Sequence, residues 1–322
     1  MRAYQLETSG QPAKMRDIPI PDPGFGEVRL RIAACGLNFA DLLMIDGKYQ
    51  ERPDLPFTLG MEVAGIVDAV GPETVFPAVG TRVAAFAGHG GLAPFGCFPA
   101  ARCVALPDAM SFTQAAAFQI AYGTSHLALD HRARLQPGET LLVTGAAGGV
   151  GLTAVEIGKR MGARVIATAR GAEKLAIAKS AGADYLIDSD APNLRGALKL
   201  LGGIDVLYDV VGGEAFLEAL RATNPEGRLL AIGFASGIVP QIPANLLLVK
   251  NIDVIGLYWG GYLNFRPEVL TTSLATLFEW FTQGSLRPHI SHIMPFDQVE
   301  NALALLRNRS SSGKVVIEFQ LP

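Results

Sequence analysis

The sequence predicts an α/β protein in two parts, a doubly wound parallel sheet inserted in an irregular β-rich domain. Three observations carry this reading. Before about residue 120 the chain consists of short β runs broken by Pro and Gly. From Glu139 it changes to β-branched apolar runs alternating with amphipathic helical stretches, the pattern of βαβ units. After residue 263 comes a tail with no further Gly-rich turn.

Taken in order, the β runs of the first part are expected at 27–33, 62–70, 82–86 and 103–106. The second part is expected to supply strands at 141–144, 165–168, 184–187, 205–210, 228–232 and 252–257, enough for a complete doubly wound unit. The tail reads as a helix, PEVLTTSLATLFEWFTQG, closed by Gly284, then an extended HISHIMPF, a last helix and a final strand GKVVIEF. Asp297 with Glu300 three residues on forms a capping-box pattern ahead of Ala302, Leu303 and Leu306. Such a tail is expected to fold back on the first part, giving one domain from 1–120 with 264–322 and another from 121–263.

Composition narrows the function. The 322 residues are 49% hydrophobic and 18% charged, which suits a compact protein with a sizeable core. Lys and Arg number 27 against 30 Asp and Glu, a net charge of −3, so no basic field exists to gather nucleic acid or anionic lipid. No run approaches the ~20 apolar residues of a membrane helix. The opening MRAYQLETSG is too polar for a secretory signal. Three cysteines, Cys35, Cys97 and Cys103, have no CxxC spacing and argue against a disulfide framework, so a cytoplasmic enzyme is expected.

The strand TLLVTG runs into Gly145, Ala146, Ala147, Gly148, Gly149, Val150 and Gly151 and then a helix. Glycines there let the backbone turn tightly, approach a pyrophosphate and pack helix against strand, with phosphate charge on the helix N-terminus. The plain alternative is an ordinary strand-to-helix turn, but the position at the head of a βαβ series favours dinucleotide binding. About 20 residues on, where an NAD site usually carries Asp or Glu, this chain has Ala169 and Arg170, with Lys174 one turn later. Two cations without the anion suit a 2′-phosphate, so NADPH is expected over NADH. The alternative is that Arg170 and Lys174 are merely solvated.

Three segments, ACGLNFADLLMIDGKY at 34–49, LGMEVAGIVDAVG at 59–71 and VTGAAGGVGLTAVEIGKRMGA at 143–163, resemble the medium-chain dehydrogenase/reductase superfamily. Within it they are most similar to the zinc-free quinone oxidoreductase (zeta-crystallin-like) branch, and SSGKVVIEF near the end also fits. The resemblance implies a Rossmann domain inserted in a GroES-like catalytic domain. Where the zinc branch holds its catalytic ion with Cys and His, this chain carries Asn38 and Met61, poor substitutes for a thiolate and an imidazole, so no metal is expected. His289 and His292 are spaced to opposite faces of a β run and are not expected to share one. Cys35 reads as a small apolar filler.

The resemblance further implies hydride transfer from NADPH to a quinone or a conjugated enone or alkenal, with hydrogen-bond donors in place of a Lewis acid. Asn38 and Tyr49 are the implied catalytic residues; the alternative for Tyr49 is a rim aromatic. Leu43 stands where the branch often has a second pocket Tyr, and Tyr258 and Trp259 are implied to line the acceptor pocket or a dimer seam. Gly233, Phe234 and Lys314 are implied cofactor contacts, while Ser189 replaces a Tyr that close relatives use near the adenine-side phosphate. Glu62 is expected to hold the loop in place, and Asp41 to hydrogen-bond within the first loop or to serve as an acid. The apolar edge VIGLY implies a homodimer. Two other readings stay open: an enoyl-thioester reductase, for which Lys48 and Arg52 supply few basic residues, and a non-catalytic NADPH-binding protein.

Overall fold

The computed structural model describes residues 1–320. They form two compact units, one of residues 1–120 and 288–320 and one of 121–287. The first boundary lies where the texture of the sequence changes. The second falls later than 263, because the helix Pro267–Thr282 packs within the second unit: Ser273 Oγ meets His126 Nδ1 at 2.8 Å, and the Arg160 guanidinium lies 4.5 Å over the Trp280 ring.

In the first unit a seven-stranded sheet runs in the order Ile290–Pro295, Lys314–Glu318, Glu27–Leu37, Glu62–Val70, Arg82–Phe86 and Cys103–Ala105, with Phe95–Pro99 also paired to Glu27–Leu37. The tail does return to this unit, since Lys314–Glu318 pairs antiparallel with Glu27–Leu37. Strands that alternate buried and half-exposed residues, such as Glu27–Leu37 in its first half, have one face on the core. A smaller sheet, Lys14–Asp17, Arg2–Leu6 and Phe57–Thr58, was not legible in the polar N-terminus. The expected capping box at Asp297 is not formed: Asp297 lies in the short 3₁₀ turn Phe296–Gln298, and the helix Val299–Arg307 begins after it with no side-chain cap.

The second unit holds a six-stranded parallel sheet in the order Tyr185–Asp188, Arg164–Ala169, Thr140–Val143, Ile204–Asp209, Thr223–Ala231 and Asp253–Gly256. Numbered along the chain from Thr140–Val143, this is the order 3-2-1-4-5-6 of a Rossmann fold, with its switch point beside the first strand. The central strands are buried on both faces, as covering helices require, and Leu142, Ile166, Leu207, Phe216 and Leu229 share one core cluster. Among the described residues no helix is long and apolar enough to cross a membrane.

Candidate active site

The first unit builds a buried polar cluster by strand register. Val315 pairs with Leu37 and Gly36 with Glu62, so Lys314, Asn38 and Glu62, which are remote in sequence, meet at one end of the sheet. Lys314 Nζ donates to Asn38 Oδ1 at 2.7 Å and to Glu62 Oε1 at 2.5 Å. Asn38 Nδ2 donates to Glu62 Oε1 at 3.0 Å and to the Gly36 carbonyl at 3.2 Å. Glu62 Oε2 accepts from Ile120 N at 3.0 Å. Gly36 is needed because a Cβ there would run into the Ala116 carbonyl.

Both amide hydrogens of Asn38 are engaged within the cluster, and its Oδ1 holds Lys314. Lys314, expected at the cofactor, has a side chain only 6% exposed against a Glu62 side chain at 0%, and two of its three hydrogens bind these partners. Asp41 belongs to the same neighbourhood. Its Oδ2 accepts from Asn38 N at 2.8 Å and thereby secures the start of the helix Phe39–Ile45. Burial pushes its carboxyl up to about 7, against the Asn38 N–H and the Lys314 charge. Cys35 is also buried, and burial raises its thiol well above the usual range, so it packs rather than reacts. Tyr49 and Leu43 are half-buried; the Leu43 carbonyl accepts from Lys48 N at 2.8 Å and Tyr49 N at 3.2 Å, fixing the turn that carries the phenol.

In the second unit the strand Thr140–Val143 leads through Gly145, at φ +59°, to the helix Gly149–Arg160 with Gly148 as its cap. A Cβ on Gly151 would collide with the Gly145 carbonyl, so the helix lies as close to the turn as glycine permits. Not every fingerprint residue faces outward. Ala146 and Ala147 are buried, and Ala146 N donates to the Thr168 carbonyl at 2.9 Å; they shape the turn, whereas Gly148, Gly149 and Val150 present the helix N-terminus. Gly151 is buried beneath them.

A carboxylate that the motif does not include ties this turn to the next. Asp209, at the end of Ile204–Asp209, accepts from Thr144 Oγ1 at 2.5 Å, Val211 N at 3.3 Å and Gly212 N at 2.7 Å. Burial raises its carboxyl against those bonds. The Asp-x-x-Gly ending of a strand was the available sequence signal. The loop 233–237 is zipped to the same turn: Gly233 N donates to the Asp209 carbonyl at 3.3 Å and Ala235 N to Val210 at 3.0 Å, leaving Phe234 40% exposed.

Arg170 caps the helix Gly171–Ser180, and its Nε lies 3.1 Å from Asp190. Lys174 is half-buried on that helix's first turns, and Ser189 is exposed. Trp259, expected at the acceptor pocket or a dimer seam, is buried: a Cβ on Gly123 would come within 2.7 to 2.9 Å of its indole, so it packs in the second unit. Tyr258 is half-buried beside Gly260 and Gly261.

Residues 24–108 match the family model described as an alcohol dehydrogenase GroES-like domain, and residues 149–277 that of a zinc-binding dehydrogenase. A quinone oxidoreductase-like protein 2 homolog from Nematostella vectensis is 41% identical over 98% of this chain and 88% of its own. The chain belongs to the quinone oxidoreductase branch of the medium-chain dehydrogenase/reductases. Among solved structures, the quinone oxidoreductase of Thermus thermophilus, also determined in complex with NADPH, is 36% identical with a TM-score of 0.88 over 99% of this chain and all of that one. That of Escherichia coli complexed with NADPH is 28% identical with a TM-score of 0.90, over 99% of each chain.

Asn38 and Met61, the two residues compared with the zinc branch, are both engaged within the fold. Asn38 is absorbed into hydrogen bonds with Lys314 and Glu62, while Met61 is buried at 2% exposure. Among the described residues no group of three or more His, Cys, Asp or Glu could hold a metal ion. His289 Nε2 lies 3.1 Å from Ser312 Oγ and His292 Nδ1 2.9 Å from Ser291 Oγ.

Proposed function

We propose that this chain is an NADPH-dependent oxidoreductase whose acceptor is a quinone or a conjugated enone or alkenal. The observation that carries the reading is the Gly148–Val150 turn, exposed at Gly148 and half-buried after it, at the head of a twelve-residue helix that follows the first strand of a 3-2-1-4-5-6 sheet. It is supported by the likeness to quinone oxidoreductases solved with NADPH. The backbone of Gly148, Gly149 and Val150 fits a pyrophosphate, since early helix N–H groups lack intrahelical partners and carry partial positive charge. Arg170 and Lys174 suit the 2′-phosphate, and Gly233 and Phe234 the nicotinamide end.

NADPH, when bound, supplies the hydride. The chain's own groups have to stabilise the negative charge that reduction leaves on the acceptor oxygen. Asn38 Oδ1 and Glu62 together fix the Lys314 ammonium in a dry setting, and its third hydrogen, bound to neither, is the donor left to meet such an oxygen. Tyr49 is the second donor, a phenol on a turn anchored by Leu43. Conjugated acceptors, which delocalise the new charge, suit this equipment better than simple ketones. Lys48, one of the few cations available for a CoA ester, already lies 3.5 Å from Asp46.

The reading is tested by following NADPH oxidation with 1,2-naphthoquinone, alkenals, enones and enoyl-CoA esters. Turnover with quinones or enones is expected; binding of NADPH without any turnover would leave only the non-catalytic alternative. Tyr49→Phe is expected to lower kcat by about 10²-fold at little cost in KM for NADPH. An unchanged kcat would return Tyr49 to the pocket rim.

The chain is also proposed to be a homodimer. Asp253–Gly256 ends the parallel sheet, with Val254 and Ile255 only half-buried, and an apolar edge of this kind calls for a covering strand. Sedimentation at micromolar concentration should give a dimer, and Ile255→Lys a monomer. A monomeric wild-type chain would refute the pairing.

A further inference from the structure

The corner that the NADPH reading assigns to the 2′-phosphate already contains an anion. Arg164–Ala169 and Tyr185–Asp188 run parallel with Ala169 opposite Asp188, so the segments after each strand lie side by side. Asp188 locks them together: its Oδ2 accepts from Gly171 N at 3.2 Å and its Oδ1 from Asp190 N at 3.0 Å. Ser189 N adds a bond to the Ala169 carbonyl at 3.0 Å, and Ala191 N one to the Asp188 carbonyl at 3.0 Å. Asp190 therefore stands at a fixed backbone position facing the next loop. Its carboxylate takes the Arg170 guanidinium, both oxygens lying 3.1 Å from Nε. The two side chains remain 66% and 61% exposed, within reach of an entering ligand.

We propose that Asp190 is a specificity-determining residue, an internal carboxylate that occupies Arg170 and must yield it to the 2′-phosphate of the cofactor. The inference rests on the NADPH reading and deepens it. A phosphate monoester entering this corner displaces a carboxylate that already satisfies Arg170 and then meets that carboxylate as a like charge. A 2′-hydroxyl has no such competition. Asp190 thus narrows the preference that Arg170 and Lys174 create, and the exposure of the pair keeps the effect to a few fold.

The test uses 2′,5′-ADP and 5′-AMP, which differ by the 2′-phosphate, with dissociation constants measured calorimetrically on the full chain at low salt. Wild type is expected to favour 2′,5′-ADP. Asp190→Asn should tighten 2′,5′-ADP by about threefold to fivefold and leave 5′-AMP unchanged. In an Arg170→Met background the same substitution should give a smaller gain. Wild-type preference for 2′,5′-ADP that Asp190→Asn does not move, or a gain shared equally by both ligands, would overturn the inference while leaving the NADPH reading intact. Wild type binding both alike, with Asp190→Asn favouring 2′,5′-ADP, would support the role of Asp190 and overturn the NADPH preference of the native chain.

Discussion

Lys314→Met is expected to destabilise the first unit by about 3–5 kcal/mol, the largest single effect that the site predicts. The side chain of Glu62 is wholly buried and that of Lys314 nearly so, and they sit 2.5 Å apart. Removing the ammonium leaves a carboxylate without its counter-charge in a place that water does not reach, and Asn38 loses the donor to its Oδ1. Glu62→Leu should cost a comparable amount for the mirror reason. Lys314→Met with Glu62→Leu together should recover most of the loss, because an apolar pair of similar volume removes the uncompensated charge along with the attraction. Denaturation followed by circular dichroism should show the single variants melting about 10 °C or more below wild type and the double variant close to it. Turnover separates the two roles. The double variant folds but lacks the fixed cation, so its kcat should stay low while its stability returns. Single variants within 1 kcal/mol of wild type, or a double variant no better than either, would show that the pair is not the linchpin of this sheet end.

The parts of this protein that were legible in its sequence are those where one physical requirement dominates a continuous stretch. A parallel strand buried on both faces must be apolar throughout, so the central strands Thr140–Val143, Arg164–Ala169 and Ile204–Asp209 could be placed to within a residue, and the half-exposed edge strands followed from the repeating βαβ spacing. The fingerprint was visible for the same reason, since close approach of helix and turn admits nothing larger than glycine at position 151. The cluster around Lys314 was not, because it depends on a register that joins residues 38, 62 and 314. Asn38 looked like a free donor until its partners were known, and Lys314, separated from it by most of the chain, looked like a cofactor contact. The packing of Trp259 was illegible for a related reason. An aromatic in a glycine-rich loop reads as a pocket wall, and only the bare α-carbon of Gly123 beneath its indole reveals a packing role. Arg170 was legible as a cation beside the fingerprint, but Asp190, its partner, comes from the turn after the following strand and carries no motif.

Asp41 should make the stability of the protein fall as pH rises from about 4 to about 7. In the unfolded chain its carboxyl titrates near 3.9. In the folded chain burial pushes it up to about 7, with Asn38 N–H and Lys314 pulling down and Glu62 pushing up. Across that window the folded state keeps a proton that the unfolded state has released, so unfolding free energy decreases with pH. The contribution is complete below about pH 4, shrinks through the window and is gone above about 7, amounting to about 4 kcal/mol. Glu156 and Asp209, whose carboxyls burial also raises, add to the same slope, while Glu139 and Asp184, lowered by Arg228 and Lys159, oppose it. The difference between wild type and Asp41→Asn isolates the residue, because the variant can still accept from Asn38 N and cannot ionise. Urea denaturation at pH 4.5, 5.5, 6.5 and 7.5 should show the wild-type midpoint dropping relative to the variant; parallel profiles would mean that Asp41 is not the buried acid described here. The same ionisation bears on turnover. Above pH 7 a second carboxylate charge joins Glu62 beside Lys314 and weakens the positive field available to an acceptor oxygen. Wild-type kcat should therefore decline on the alkaline side of 7, and Asp41→Asn should hold its rate there.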